Sequence, residues 1–169
     1  MLSYALSEKG IMDARAYFGR SREIENRLVV AHARMDQARQ RRKQLEADGR
    51  EGMEKCCLLE WMEETQTAVL QDYRRLMETE KEMESTIRKV GDPTLQTVLE
   101  LRYLQHWQPF AIAEKMHMDE RHIYRILKKA LQTAALALAQ EGIIGPGLPS
   151  GRAAGQGFPP GWPEGCPGG

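Results

Sequence analysis

Aromatic side chains are scarce in this sequence, 7% of its 169 residues, and valine, isoleucine and threonine stay sparse until late in the chain. A sheet needs such side chains to cover its faces, so their scarcity, beside 28% charged residues, favours charged helices. No apolar run approaches the roughly 20 residues that a membrane-spanning helix needs, so no membrane partner is expected. The opening MLSYALSEKG has no basic segment followed by an apolar core, which argues against a secretory signal. Cysteine is limited to Cys56, Cys57 and Cys166. Two are adjacent, so neither a paired zinc spacing nor a disulfide framework can be built. A reduced, cytoplasmic setting fits, with Cys56 and Cys57 as buried or half-buried thiols on a helix.

Net charge of one sign is absent too, with 24 acidic and 24 basic side chains. There is no glycine-rich phosphate loop, no HExxH and no nucleophile elbow, so no enzyme, catalytic residue, metal or cofactor is expected. Paired carboxylates such as Glu63 and Glu64 read as ordinary exposed helix positions.

What glycine and proline there is collects at one end. Ten of 15 glycines and six of eight prolines fall from Gly142 onward, where Arg152 and Glu164 are the only charged residues. Such a stretch cannot bury enough surface to offset its ordering entropy, so residues 142–169 read as a disordered tail, with Phe158 and Trp162 incidental in it.

Upstream the pattern is helical, and the expected fold is all-α. After an N-terminal segment, 1–19, residues 20–47 place Ile24, Leu28, Ala31, Met35, Ala38 and Leu45 on a heptad seam broken at Arg42. Asp48-Gly49-Arg50-Glu51-Gly52 supplies a stop and turn. Residues 53–90 then carry a second stripe: Cys56, Leu59, Met62, Gln66, Val69, Tyr73, Leu76, Glu80, Met83, Ile87 and Val90. Two seams joined by a short loop predict an antiparallel coiled-coil hairpin over 20–91. Between Arg15 and Lys43 stand nine basic and three acidic residues, and between Glu54 and Lys89 six basic and nine acidic. Opposite charges flanking the seam favour this pairing of the arms. The cluster Arg39-Gln40-Arg41-Arg42-Lys43 reads as a solvated helix face or, alternatively, as a nucleic-acid contact. Gln66 and Glu80 in the second seam suggest a loose hairpin or one completed by another chain, a homodimer through the hairpin.

Gly91-Asp92-Pro93 ends one helix and starts the next, Pro93 to Gln105, and His106-Trp107-Gln108-Pro109 breaks it. A short helix, Phe110 to Met116, then points Ile112 and Met116 inward, with Ala113 small enough for a close helix crossing. His117 falls at a sharp turn where left-handed backbone is expected, Met118 plugs the core, and Asp119 can cap the next helix. In helix 119–138, Ile123, Ile126, Leu127, Ala130 and Leu131 form the inward side. Glu120, Arg121, Tyr124, Arg125, Lys128 and Lys129 face outward. Arg121, Tyr124 and Arg125 stand one turn apart, suited to base edges in a major groove, while Glu120 can accept from cytosine. Lys128 and Lys129 suit backbone phosphates. This is the pattern of a helix-turn-helix domain over 92–141 whose partner is double-stranded DNA. His117 and His122 read as turn and surface residues, not ligands.

The stretch LRYLQHWQPFAIAEKMHMDERHIYRILKKAL resembles region 4 of the sigma-70 family, which reads promoter elements. It is similar in particular to the module in small phage and prophage transcriptional regulators of Gram-positive bacteria. The matching pieces are Leu101-Arg102-Tyr103-Leu104, Ile112-Ala113-Glu114, Ile123-Tyr124-Arg125 and Ala130-Leu131, within residues 93–138. Trp107-Gln108-Pro109-Phe110 and His117 depart from the family pattern, and residues 1–92 hold no aromatic, basic promoter-melting segment. The resemblance therefore implies a DNA-binding regulator, open to contact with RNA polymerase, and not a complete sigma factor. The alternative is a small terminase-like subunit for phage DNA packaging, or an assembly protein, using the same parts in a ring.

Overall fold

The computed structural model describes residues 2–50 and 52–147, and among them it is all-helical. Six α-helices follow in order: α1 (Leu2–Leu6), α2 (Glu8–Ala47), α3 (Met53–Lys89), α4 (Pro93–Leu99), α5 (Pro109–Met116) and α6 (Glu120–Gln140). A π-helical turn, Glu100–Leu104, extends α4. No helix among the described residues is long and apolar enough to cross a membrane.

The first arm starts at Glu8, not at residue 20. Ser7 caps it, its Oγ accepting from the Gly10 amide at 3.1 Å. Gly10 is required by contact, because a Cβ there would collide with the Tyr4 carbonyl where α1 folds back on α2. Tyr4 donates to the buried carboxylate of Asp13, and burial followed by that bond pushes its hydroxyl up to about 12.

Beyond its first turns α2 has α3 running back along it. Arg41 pairs with Glu54 at 2.6 Å, Arg27 with Asp72 at 3.2 Å and Arg20 with Glu82 at 3.0 Å. On α2 the buried positions Ile24, Leu28, Met35, Ala38 and Leu45 are the expected seam. On α3 the seam differs in part. Cys56, Leu59, Gln66 and Tyr73 are exposed, and Leu58, Thr65 and Asp72 take the places expected for Leu59, Gln66 and Tyr73. The expected positions Met62, Val69, Leu76, Glu80, Met83, Ile87 and Val90 stay buried or half-buried, so the rest of the seam holds. Cys56 and Cys57 are exposed thiols rather than half-buried ones.

Both arms enter a single core at their other ends. Ala5, Ile11, Ala14, Tyr17 and Phe18 cluster there with Met83, Ile87 and Val90, and with the apolar sides of α4, α5 and α6. Phe18, fully buried, stacks on Tyr103 at 5.2 Å between centroids, and the Tyr17 hydroxyl meets Thr86 Oγ1 at 3.0 Å. Residues 142–147 are not a loose tail, since Ile144 is buried in this core and Lys9 donates to the Pro146 carbonyl. Left-handed Gly142 turns the chain, letting the Ile143 amide reach the Leu138 carbonyl at 2.9 Å. The remainder of the expected tail, 148–169, lies outside the described residues.

Where the arms meet the core, the α3 carboxylate Glu80 is crowded. Burial first, then repulsion from Glu25 and Glu84, raises its pKa, with His106 opposing the shift. A raised carboxyl makes the folded state bind more protons than the unfolded one, so stability is lost as pH rises above the usual carboxylate range. Glu80→Gln is expected to raise the melting temperature at neutral pH, with the gain shrinking as pH falls toward 4.5, Glu80's unperturbed value. Thermal melts of both proteins across that range would show an equal gap at every pH if Glu80 were not strained.

Candidate nucleic-acid interface

The last three helices are set by local signals. Asp92 caps α4, its carboxylate accepting from the Thr94 and Leu95 amides at 2.8 and 3.3 Å, and Pro93 occupies the first turn. The helix continues as the π-turn rather than reaching Gln105 in α form. It stops at His106, whose φ of 57° is left-handed. Arg102 holds that stop by donating to the Trp107 carbonyl at 3.1 Å. Gln108 and Pro109 then open α5.

Between α5 and α6 His117 has φ 53° and ψ 45°, the left-handed bend expected of it. The Met118 amide closes the turn on the Ala113 carbonyl at 2.9 Å. Ala113 and Ile112 are buried against α6, with Met116 and Met118 partly buried beside them. Asp119 has the backbone of a cap, yet its carboxylate accepts no amide bond, a departure from the expected cap. The His117 side chain is exposed, so its shape serves no packing. His117→Gly should therefore stabilise by about 0.5–1 kcal/mol, the left-handed penalty of an L-residue less the added entropy of glycine. Urea titration would contradict this if the variant were weaker than the parent.

On α6 every third or fourth side chain is buried, from Ile123, Ile126 and Leu127 through Ala130 and Leu131 to Leu138. The opposite side is free of the body. Glu120, Arg121, Tyr124, Arg125, Lys128 and Lys129 are all exposed, Tyr124 by 54%. Residues three and four apart on a helix lie about 5–6 Å from each other at Cβ, so Arg121, Tyr124, Arg125 and Lys128 form one continuous stripe. Several cations of the arms are paired. Arg20, Arg27, Arg39, Arg41 and Arg42 each face a carboxylate. Arg121, Arg125, Lys128 and Lys129 make no ion pair with any described residue.

A second basic feature was not foreseen in the sequence. A recess of about 280 Å³ lies between α2 and the π-turn, lined by Arg15, Phe18, Gly19, Arg22, Arg102, Tyr103, His106 and Gln108. No carboxylate lines it. Burial raises the Tyr103 hydroxyl's pKa, while the cations Arg15 and Arg102 pull the other way. Arg15 and Arg22 counted in the sequence only toward the net charge of the first arm; the chain offers no local signal that Arg102 joins them. No group of side chains suited to a metal ion occurs among the described residues.

Residues 59–135 match the model of a family described as a protein of unknown function, DUF1492. The matched span takes in most of α3, all of α4 and α5, and α6 through the six outward residues 120–129. No curated protein and no solved structure matches the chain.

Proposed function

We propose that the chain is a sequence-specific, duplex-DNA-binding transcriptional regulator. In this reading α5, the His117 bend and α6 form a helix-turn-helix unit, and α2 with α3 forms an antiparallel coiled-coil hairpin behind it. The outward side of α6 enters the major groove: Arg121, Tyr124 and Arg125 meet base edges, Glu120 accepts from cytosine, and Lys128 and Lys129 hold phosphates. One observation carries the reading. The cations of α6 are exposed on a helix braced by a tight left-handed bend and pair with no carboxylate among the described residues. Several cations of the arms, Arg20, Arg27 and Arg41 among them, use intramolecular carboxylates; cations reserved for phosphates cannot.

The resemblance to sigma-70 region 4 adds RNA polymerase as the protein partner to test. Exposed Leu70, Tyr73 and Met77 on α3, with Val29 on α2, support self-association through the arms. Light scattering separates a monomer or dimer, which favours a regulator, from the many-subunit ring of a packaging protein.

Selection of bound duplexes from a random pool tests the function itself. A shared motif a few base pairs long should emerge from the wild-type chain. Recovery of unrelated sequences after several rounds would overturn the sequence-reading role.

A further inference from the structure

Gly19 stands in the middle of α2, where glycine costs about 0.5–1 kcal/mol relative to alanine. No contact requires it, since a Cβ there would meet nothing within 4 Å. It lies four residues after Arg15 and three before Arg22, on the same side of the helix, and it lines the recess with both. The missing side chain leaves an opening between two exposed guanidinium groups. Opposite them, Arg102 is half-buried and fixed by its bond to the Trp107 carbonyl, and the Gln108 at this rim is the residue that starts α5. His106 at the edge has Glu25 2.9 Å away, out of line for a hydrogen bond. Three arginines lining one recess, with no carboxylate in that lining, make a site for an anion, and guanidinium forks match phosphate oxygens.

The place in the fold says which phosphate. In a helix-turn-helix the first helix crosses the DNA backbone while the second lies in the groove. The recess borders the start of that first helix, α5.

We propose that Arg15, Arg22 and Arg102 clamp backbone phosphates of the same duplex that α6 reads, so that the base of the N-terminal arm is part of the DNA-binding surface. The proposal rests on the DNA-binding reading and extends it to residues outside the helix-turn-helix. Gly19 keeps the clamp open, and Arg102, held from below, orients it.

The test is the salt dependence of binding to the duplex motif recovered by selection, using the full chain. Each phosphate neutralised contributes about 0.9 to the slope of log affinity against log salt, so Arg15→Gln with Arg22→Gln should reduce the slope by about 1.8. Arg15→Lys with Arg22→Lys should restore most of it. Gly19→Glu, placing a carboxylate between the two cations, should weaken binding by about tenfold or more, as loss of about 1.4 kcal/mol would. Both arginines are exposed, so melting temperatures should hold. If the glutamine pair proves unstable, Gly19→Glu carries the test alone, because a Cβ there meets nothing within 4 Å. An unchanged slope and unchanged affinity, in a protein whose binding still falls on Arg125→Ala, would overturn the clamp and leave the reading of α6 intact. Absence of duplex binding by the wild type at low salt would overturn both.

Discussion

Phe18→Ala is expected to destabilise the fold by about 3–5 kcal/mol, the cost of removing a fully buried aromatic and leaving a cavity. The position is unusual in what it joins. Its ring lies on Tyr103 of the π-turn, and the neighbouring Tyr17 stands edge-on to it at 5.3 Å while bonding Thr86 of α3. One side chain therefore ties the first arm to the elements that support α5. Stabilities of natural domains are about 5–15 kcal/mol, so the loss should take a large part of the total. Urea unfolding followed by circular dichroism measures it, and a loss below about 1.5 kcal/mol would show that the two halves do not depend on this contact. Phe18→Leu, keeping most of the volume, should lose far less.

Arg125→Ala carries the largest expected effect on binding. An arginine meeting a guanine edge is worth about 1–3 kcal/mol, which is roughly 5- to 150-fold in affinity, and its loss should relax preference at one base pair. Lys128→Ala should behave differently, weakening all duplexes alike and lowering the salt slope by about 1. Glu63→Gln is the control, since Glu63 is exposed on α3 away from the stripe. Titration of a labelled duplex distinguishes the three variants. Equal losses from Arg125→Ala and Glu63→Gln would remove Arg125 from any base-reading role.

How much of this was legible depended on how local the determinants are. The elements from Asp92 to Lys129 were readable because each is fixed by near neighbours. The cap of α4, the proline starts, the left-handed His117 and the buried series Ile123, Ile126, Leu127 and Ala130 are set within a few residues. The α2 seam was readable for a similar reason, since it has a single apolar stripe between charged flanks. The α3 seam was readable in part. Met62, Val69, Leu76 and Met83 lie inward as expected, but Thr65 and Asp72 take the places expected for Gln66 and Tyr73, and polar residues give no apolar signal. The first arm's helix runs back through residues 8–19, whose Ile11, Ala14 and Phe18 join a core shared by α3 and the C-terminal helices, partners distant in sequence. Asp119 shows the limit of a cap motif, as the right residue at the right place makes no bond. The basic recess was invisible for a plain geometric reason. Arg15 and Arg22 meet Arg102 across some 80 residues of sequence, and no periodicity connects them.

Dimethyl sulfate footprinting of the bound, selected duplex measures the groove directly, because it methylates guanine at N7 in the major groove and adenine at N3 in the minor groove. The wild-type chain should protect guanine N7 positions within the motif, and Arg125→Ala should unprotect one of them while the rest of the footprint persists. Full N7 reactivity under a saturating complex, with protection only at adenine N3, would mean that α6 does not lie in the major groove.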